Sequence, residues 1–195
     1  LNIQEGLVRY IIRYCLKNCL EELMILERNL EPLQKADQPF TRLTYDEAIA
    51  KLGELGSDIK YGEDLGNDDE GLLTKDSVVP VFIAKWPKSI KPFYMKRDSV
   101  NSDLVLNDDL IAIEGAGEII GGSQREDDFD LLLARIKSEG LNPEEYQWYT
   151  DLRKYGSVPH SGFGIGLERM VRWITGVEHI RECIPFPRTI GRLRP

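Results

Sequence analysis

The sequence predicts an α+β fold, an antiparallel β-sheet flanked by helices, and three observations carry that reading. Strand-like segments are separated by long connections rather than by regular β-α-β alternation. Two of them, 109–113 and 117–121, are joined only by Glu114-Gly115-Ala116 and read as an antiparallel hairpin. Helical periodicity brackets the strands, beginning with the first residues of the chain. At 195 residues, 42% hydrophobic and 30% charged, there is enough apolar material for one domain with a sizeable core.

The first helix is predicted from apolar pairs at Leu7-Val8, Ile11-Ile12, Cys15-Leu16, Cys19-Leu20 and Leu23-Met24, recurring every four residues with charges between. So wide an apolar stripe is expected to be core, with an oligomer face as the alternative, and because the chain opens within this pattern it reads as an internal start. Pro32 and Pro39 interrupt the chain. Thr44 and Glu47 then form a capping box, opening a helix that runs through Ala48, Ile49 and Leu52 to Gly53 or Gly56. Residues 62–70 are acidic and contain glycines, the pattern of a solvated connection without chemistry. Residues 78–84 read as a strand despite Pro80, and 92–96 as another. After the hairpin, 125–139 reads as a helix with Phe129, Leu132, Leu133 and Ile136 on its apolar face, stopped by Gly140. Asn142-Pro143 opens the next helix as N-cap and first residue. Its Tyr146, Trp148, Tyr149 and Leu152 read as packing rather than a base-stacking platform. A strand, a helix and a short segment around 177–183 close the chain.

Composition excludes several classes. A net charge of −8 argues against nucleic-acid binding through bulk charge, and leaves Arg169, Arg172, Arg181, Arg188, Arg192 and Arg194 as a local basic region. No apolar run approaches the ~18 residues of a membrane span, and no signal peptide is apparent. Cys15, Cys19 and Cys183 form no CxxC pair, and Cys15 and Cys19 lie on one helical face, suiting a reducing compartment. Two histidines without paired ligand spacing do not suggest zinc.

Two clusters carry chemistry. In 160–169, Gly162, Gly164 and Gly166 alternate with Phe163, Ile165 and Leu167, so a strand would put the glycines on one face as a flat shelf. A helix follows, closed by Gly176. Arg169 falls in its first turn, where a cation gains nothing from the helix dipole, which suggests a task outside the helix. The plainer reading is a tight turn with a solvated Arg169. In 117–126, Glu118, Ile120 and Gly122 are expected on one face, with Ile119 and Gly121 on the other, and Arg125 is expected to start a helix as Arg169 does. Glu118, with Asp109 on the neighbouring strand, could hold Mg²⁺ against a polyphosphate. An ion pair of Glu118 with Arg125 fits the spacing equally well.

Gly-Glu-Ile-Ile-Gly-Gly-Ser-Gln-Arg-Glu at 117–126, Tyr-Gly-Ser-Val-Pro-His-Ser-Gly-Phe-Gly-Ile-Gly-Leu-Glu-Arg at 155–169 and the run from His179 to Arg188 resemble the class II aminoacyl-tRNA synthetases, in their aspartyl/asparaginyl subgroup and on its asparaginyl branch. The second stretch resembles that class's third signature motif. The resemblance implies that residues 1–195 are the C-terminal part of the catalytic domain. The N-terminal part and the anticodon-binding domain lie outside this sequence, so the 195 residues alone would be inactive. It implies ATP bent over Gly164, Gly166, Leu167, Glu168 and Arg169. Mg²⁺ would be held by Glu118 and Asp109, with Glu118 and Arg169 as the catalytic groups. Arg125 and Gly121 would stand on the amino-acid side. The implied reaction is ATP-dependent activation of asparagine and transfer to tRNA(Asn), in a cytoplasmic, membrane-free homodimer. Aspartyl-tRNA synthetase, a synthetase-like asparagine synthetase, and a non-catalytic nucleotide- or partner-binding module are the alternatives.

Overall fold

The computed structural model describes residues 1–192 and 194. Helices α1 (Asn2–Asn18) and α2 (Leu20–Ile25) meet at Cys19, where the backbone leaves helical geometry. α3 (Glu31–Ala36) follows, then strand β1 (Thr41–Thr44) and helix α4 (Tyr45–Glu54). Thr44 Oγ1 accepts from the Glu47 amide and the Glu47 carboxylate accepts from the Thr44 amide, the expected capping box. Next come α5 (Asn67–Thr74), β2 (Val81–Ala84), β3 (Asn107–Ala112) and β4 (Gly117–Gln124). Helices α6 (Phe129–Ser138) and α7 (Gln147–Lys154), strand β5 (Ser161–Ile165) and helix α8 (Leu167–Thr175) complete the fold.

The five strands form one sheet in the order β1-β2-β3-β4-β5, with β1 and β2 parallel and every later pair antiparallel. This is the expected α+β architecture. Each face of the sheet supports its own core. Phe82, Leu110, Ala112 and Ile120 face Val8 and Ile12 of α1 and Met170 and Trp173 of α8. Val81, Ile83 and Ile111 face Tyr45, Leu52 and Trp86. The alternation along each strand divides its side chains between these layers.

Several expected elements are shorter or shifted. The stripe of the first helix is only partly core: Val8, Ile12 and Leu23 are buried, while Ile3, Tyr10, Tyr14, Met24 and Ile25 are exposed. Residues 92–96 are not a strand. The Met95 amide turns back to the Pro92 carbonyl at 3.2 Å, and the segment then makes only isolated bridges, Met95 with Arg125 and Arg97 with Val105. In 78–84 only Val81–Ala84 pairs, because Pro80 has no amide to donate; its carbonyl accepts from Thr41. The helix expected from Arg125 starts at Phe129, with Asp128 capping the Leu131 amide at 2.9 Å. Residues 125 and 126 are still committed to strand-like bonds, Arg125 to His160 and Glu126 to Tyr94.

Arg28 ties the last helix to the hairpin. Its side chain, 5% exposed, donates to the carbonyls of Trp173 and Ile174 at the end of α8 and pairs with Glu114 in the turn between β3 and β4. Gly176 caps α8 with a left-handed φ of 71°, and a side chain there would meet Arg28 at 2.7 Å. We predict that Phe82→Ala, which empties a fully buried site beside Phe40, destabilises the chain by about 3–5 kcal/mol. The check is a fall in the urea midpoint with an unchanged m-value; a midpoint within error of wild type refutes it.

Candidate active site

The site is built around an irregularity in the β3–β4 hairpin. Asp109 pairs with Gly121 and Leu110 with Ile120, but Ile111 pairs with Glu118, leaving Ile119 as an extra residue. This β-bulge reverses the face on which Glu118 projects. The strict alternation expected from sequence set Glu118 with Ile120 and Gly122; the structure sets it instead with Gly121 and Asp109. Ile119 and Ile120 are both buried in the α1/α8 core, and that shared burial is what the bulge accommodates.

The carboxylates of Asp109 and Glu118 converge over Gly121. A Cβ at Gly121 would lie 3.0 Å from Glu118 Oε1 and 3.6 Å from Asp109 Oδ1, so only glycine leaves the gap between them clear. Burial pushes the Glu118 carboxyl up to about 7, with the Asp109 charge adding to the effect. Burial also pushes Asp109 up, while Lys91 draws it back with an Nζ–Oδ2 distance of 2.8 Å. The Lys91 ammonium sits 3.7 Å over the Trp86 ring; burial pulls its pKa down, but Asp109, Asp64 and Glu118 together hold it above the ordinary lysine value. No hydrogen bond or ion pair reaches the Glu118 carboxylate among the described residues, and the pairing with Arg125 that spacing allowed is not formed.

The glycine shelf lies alongside. Gly164 pairs with Gly121 and Gly162 with Ser123, so both strand glycines share the face of the two carboxylates. A Cβ at Gly164 would meet nothing within 4 Å, whereas one at Gly162 would touch the Arg125 guanidinium at 3.0 Å. Gly166 is not a strand residue but the N-cap of α8, its amide donating to Ile119 O at 2.9 Å. Arg169 folds back over Gly166 and donates from Nη1 to Glu118 O at 2.6 Å. Leu167 and Glu168 are exposed, and neither side chain forms a hydrogen bond or ion pair among the described residues. Arg125 donates to Ser123 Oγ at 2.9 Å and stacks over Tyr94 at 4.8 Å, at the edge of a hollow lined by Phe93, Tyr146 and Trp148.

The sequence reading missed two site residues. Lys91 carries no local signal beyond preceding a proline. Glu70 belonged to the acidic stretch expected to be a connection without chemistry, yet 67–74 is helix α5, and Glu70 Oε2 accepts from the Glu118 amide at 3.0 Å. Gly66, whose amide donates to Asp69 three residues on, was the available sign of a helix start. Glu70, Gly117, Arg169, Arg172 and His179 line a cleft of about 440 Å³ beside the carboxylate pair. Among the described residues no set of three His, Cys, Asp or Glu side chains is arranged for a metal, so a cation here would need ligand oxygens from elsewhere. No helix among them is long and apolar enough to cross a membrane.

The family profile described as tRNA synthetases class II (D, K and N) matches residues 1–190. The chain belongs to this family of synthetases. It is 48% identical to an asparaginyl-tRNA synthetase from Pyrococcus horikoshii solved with asparaginyl-adenylate, with a TM-score of 0.95, covering 100% of this chain and 45% of that one. The asparaginyl-tRNA synthetase of Entamoeba histolytica, also solved with asparaginyl-adenylate, is 36% identical at TM-score 0.90, covering 100% of this chain and 44% of its own. The aspartyl-tRNA synthetase of Entamoeba histolytica is 30% identical at TM-score 0.88, with 100% and 41% covered. This synthetase chain thus spans less than half the length of these relatives.

The raised Glu118 pKa couples the stability of the chain to pH. An acid whose pKa rises on folding, here from 4.5 to about 7, binds protons more tightly folded than unfolded. Its contribution is absent below the unfolded value; stability is lost as pH rises through that window and the loss is complete above it. In chelator, Glu118→Gln is expected to melt above wild type at about pH 8 and to match it at about pH 4. Coincident melting curves at the higher pH would show that Glu118 is not strained by charge.

Proposed function

We propose that this chain is the C-terminal part of the catalytic domain of an asparagine–tRNA ligase. The whole enzyme would activate asparagine with ATP to asparaginyl-adenylate and transfer it to tRNA(Asn), acting as a cytoplasmic homodimer. The observation that carries the reading is the convergence of Asp109 and Glu118 at Gly121, beside the open strand position of Gly164. Two carboxylates with an incomplete counter-charge fit Mg²⁺, which takes one or two protein carboxylates and fills its remaining positions with phosphate oxygens and water. Bound there, Mg²⁺ would neutralise phosphate charge.

The chain's own residues have separable tasks in this reading. Gly164 and Gly166 leave room for a nucleotide on the sheet, and Leu167 and Glu168 contribute through main-chain amides of the first turn of α8, their side chains pointing to solvent. Arg169 is placed to exchange its bond to Glu118 O for phosphate or adenine. Arg125, held by its hydrogen bond to Ser123 and its stacking over Tyr94, offers its guanidinium to the amide oxygen of asparagine, with Gly162 and Gly121 leaving that face of the sheet clear. Adenylation is in-line attack of the amino-acid carboxylate on the α-phosphate, so positioning and charge neutralisation are what the site must supply. Identities of 48% and 36% to enzymes solved with asparaginyl-adenylate, against 30% to an aspartyl enzyme, favour asparagine over aspartate.

In the protein that contains this chain, Arg169→Ala and Glu118→Ala are each expected to lower kcat/KM for asparagine-dependent ATP–pyrophosphate exchange by about 10²–10³-fold, with folding retained. Near-wild-type exchange in both variants removes these roles. Exchange supported by aspartate and not by asparagine overturns the amino-acid assignment. Arg125→Ala is expected to raise KM for asparagine by about tenfold or more while KM for ATP changes little. Equal changes in the two constants count against Arg125 as a side-chain reader.

A further inference from the structure

We propose that Glu70 is a positioning residue that holds the main chain of residue 118 and thereby keeps the Glu118 carboxylate turned toward Asp109. The inference rests on the reading of Asp109 and Glu118 as a metal-binding pair. The bulge that brings these carboxylates together would relax without anchors, because its residues lie outside the regular ladder. Three anchors are present. Glu70 Oε2 accepts from the Glu118 amide at 3.0 Å, Arg169 Nη1 donates to the Glu118 carbonyl at 2.6 Å, and the Gly166 amide donates to the Ile119 carbonyl at 2.9 Å. The last two come from α8 and its N-cap. The first comes from α5, on the other side of the hairpin, so residue 118 is gripped from two directions.

The surroundings of Glu70 fit this task. It is only 7% exposed, and α5 is pinned at this point by the Thr74 hydroxyl donating to the Glu70 carbonyl at 2.8 Å. Gly117 adopts φ of +78°, and a Cβ there would stand 2.9 Å from Glu70 Oε2, so glycine is required for the carboxylate to reach the next amide. Placing a third carboxylate near Asp109 and Glu118 is electrostatically unfavourable. The hydrogen bond it accepts from the Glu118 amide offsets that cost. Glu70 thus acts through the backbone and not by touching substrate.

The test uses the protein that contains this chain, ¹⁵N-labelled, with Mn²⁺·ATP as the paramagnetic probe. Glu70→Ala is expected to speed exchange of the Glu118 amide by about tenfold or more and to weaken Mn²⁺·ATP by about tenfold, with the Leu110 amide unaffected. Glu70→Gln, which keeps an acceptor, should hold both within about threefold of wild type. Unchanged protection of the Glu118 amide in Glu70→Ala overturns the anchor. Weakened binding in Glu118→Gln but not in Glu70→Ala overturns the positioning role while leaving the metal-site reading intact. Unchanged binding in Glu70→Ala and Glu118→Gln alike overturns both.

Discussion

One extra residue in an eight-residue strand organises the centre of this protein. Ile119 is unpaired across the β3–β4 ladder, and its insertion lets two consecutive isoleucines enter the same core while Glu118 turns to the opposite face. The driving force is apolar burial: Ile119 and Ile120 are each 1% exposed against α1 and α8. The cost is a locally broken ladder. It is offset by side chains and an N-cap that satisfy the amide and carbonyl of residue 118 and the carbonyl of residue 119. Packing on one face of the sheet thus determines the chemistry available on the other.

On that other face the dominant feature is unbalanced charge. Asp109, Glu118 and Glu70 crowd together with Lys91 as a half-buried counter-charge and Arg169 at the edge. In a region of reduced dielectric, burial and the neighbouring Asp109 charge raise the Glu118 pKa to about 7, a shift that a bound divalent cation would oppose. The two glycine pairings, Gly121 with Gly164 and Ser123 with Gly162, keep the same surface free of side-chain bulk. Uncompensated negative charge and open space therefore coincide on this surface, and the proposal of a metal-bound polyphosphate rests on that coincidence.

Much of the local structure was legible. The Thr44–Glu47 capping box, Asn142 before Pro143, the hairpin and the glycine that ends α8 depend on neighbours within a few residues, and all four form as the sequence suggests. What failed were segments whose conformation is set by distant partners. Residues 92–96 have strand-like composition, but a turn at Pro92 reduces their pairing to isolated bridges. Arg125 and Glu126 look helical in composition but are held extended by His160 and Tyr94. The acidic stretch 62–70 read as solvent-facing because its charges are dense, yet its last residue is buried against the hairpin. Composition reports a residue's average preference; it does not report which partner reaches it.

By itself, then, the sequence determined the fold class, the hairpin, the strand glycines Gly162 and Gly164 and the family to which the motifs belong, because each is carried by short-range pattern. The tertiary structure alone decided that Glu118 faces Asp109, that Lys91 and Glu70 join them, and that Arg169 closes over the bulge. The reason is geometric. A single-residue shift in strand pairing reverses every subsequent side chain, and it is set by how two cores pack against the sheet, which no local pattern contains.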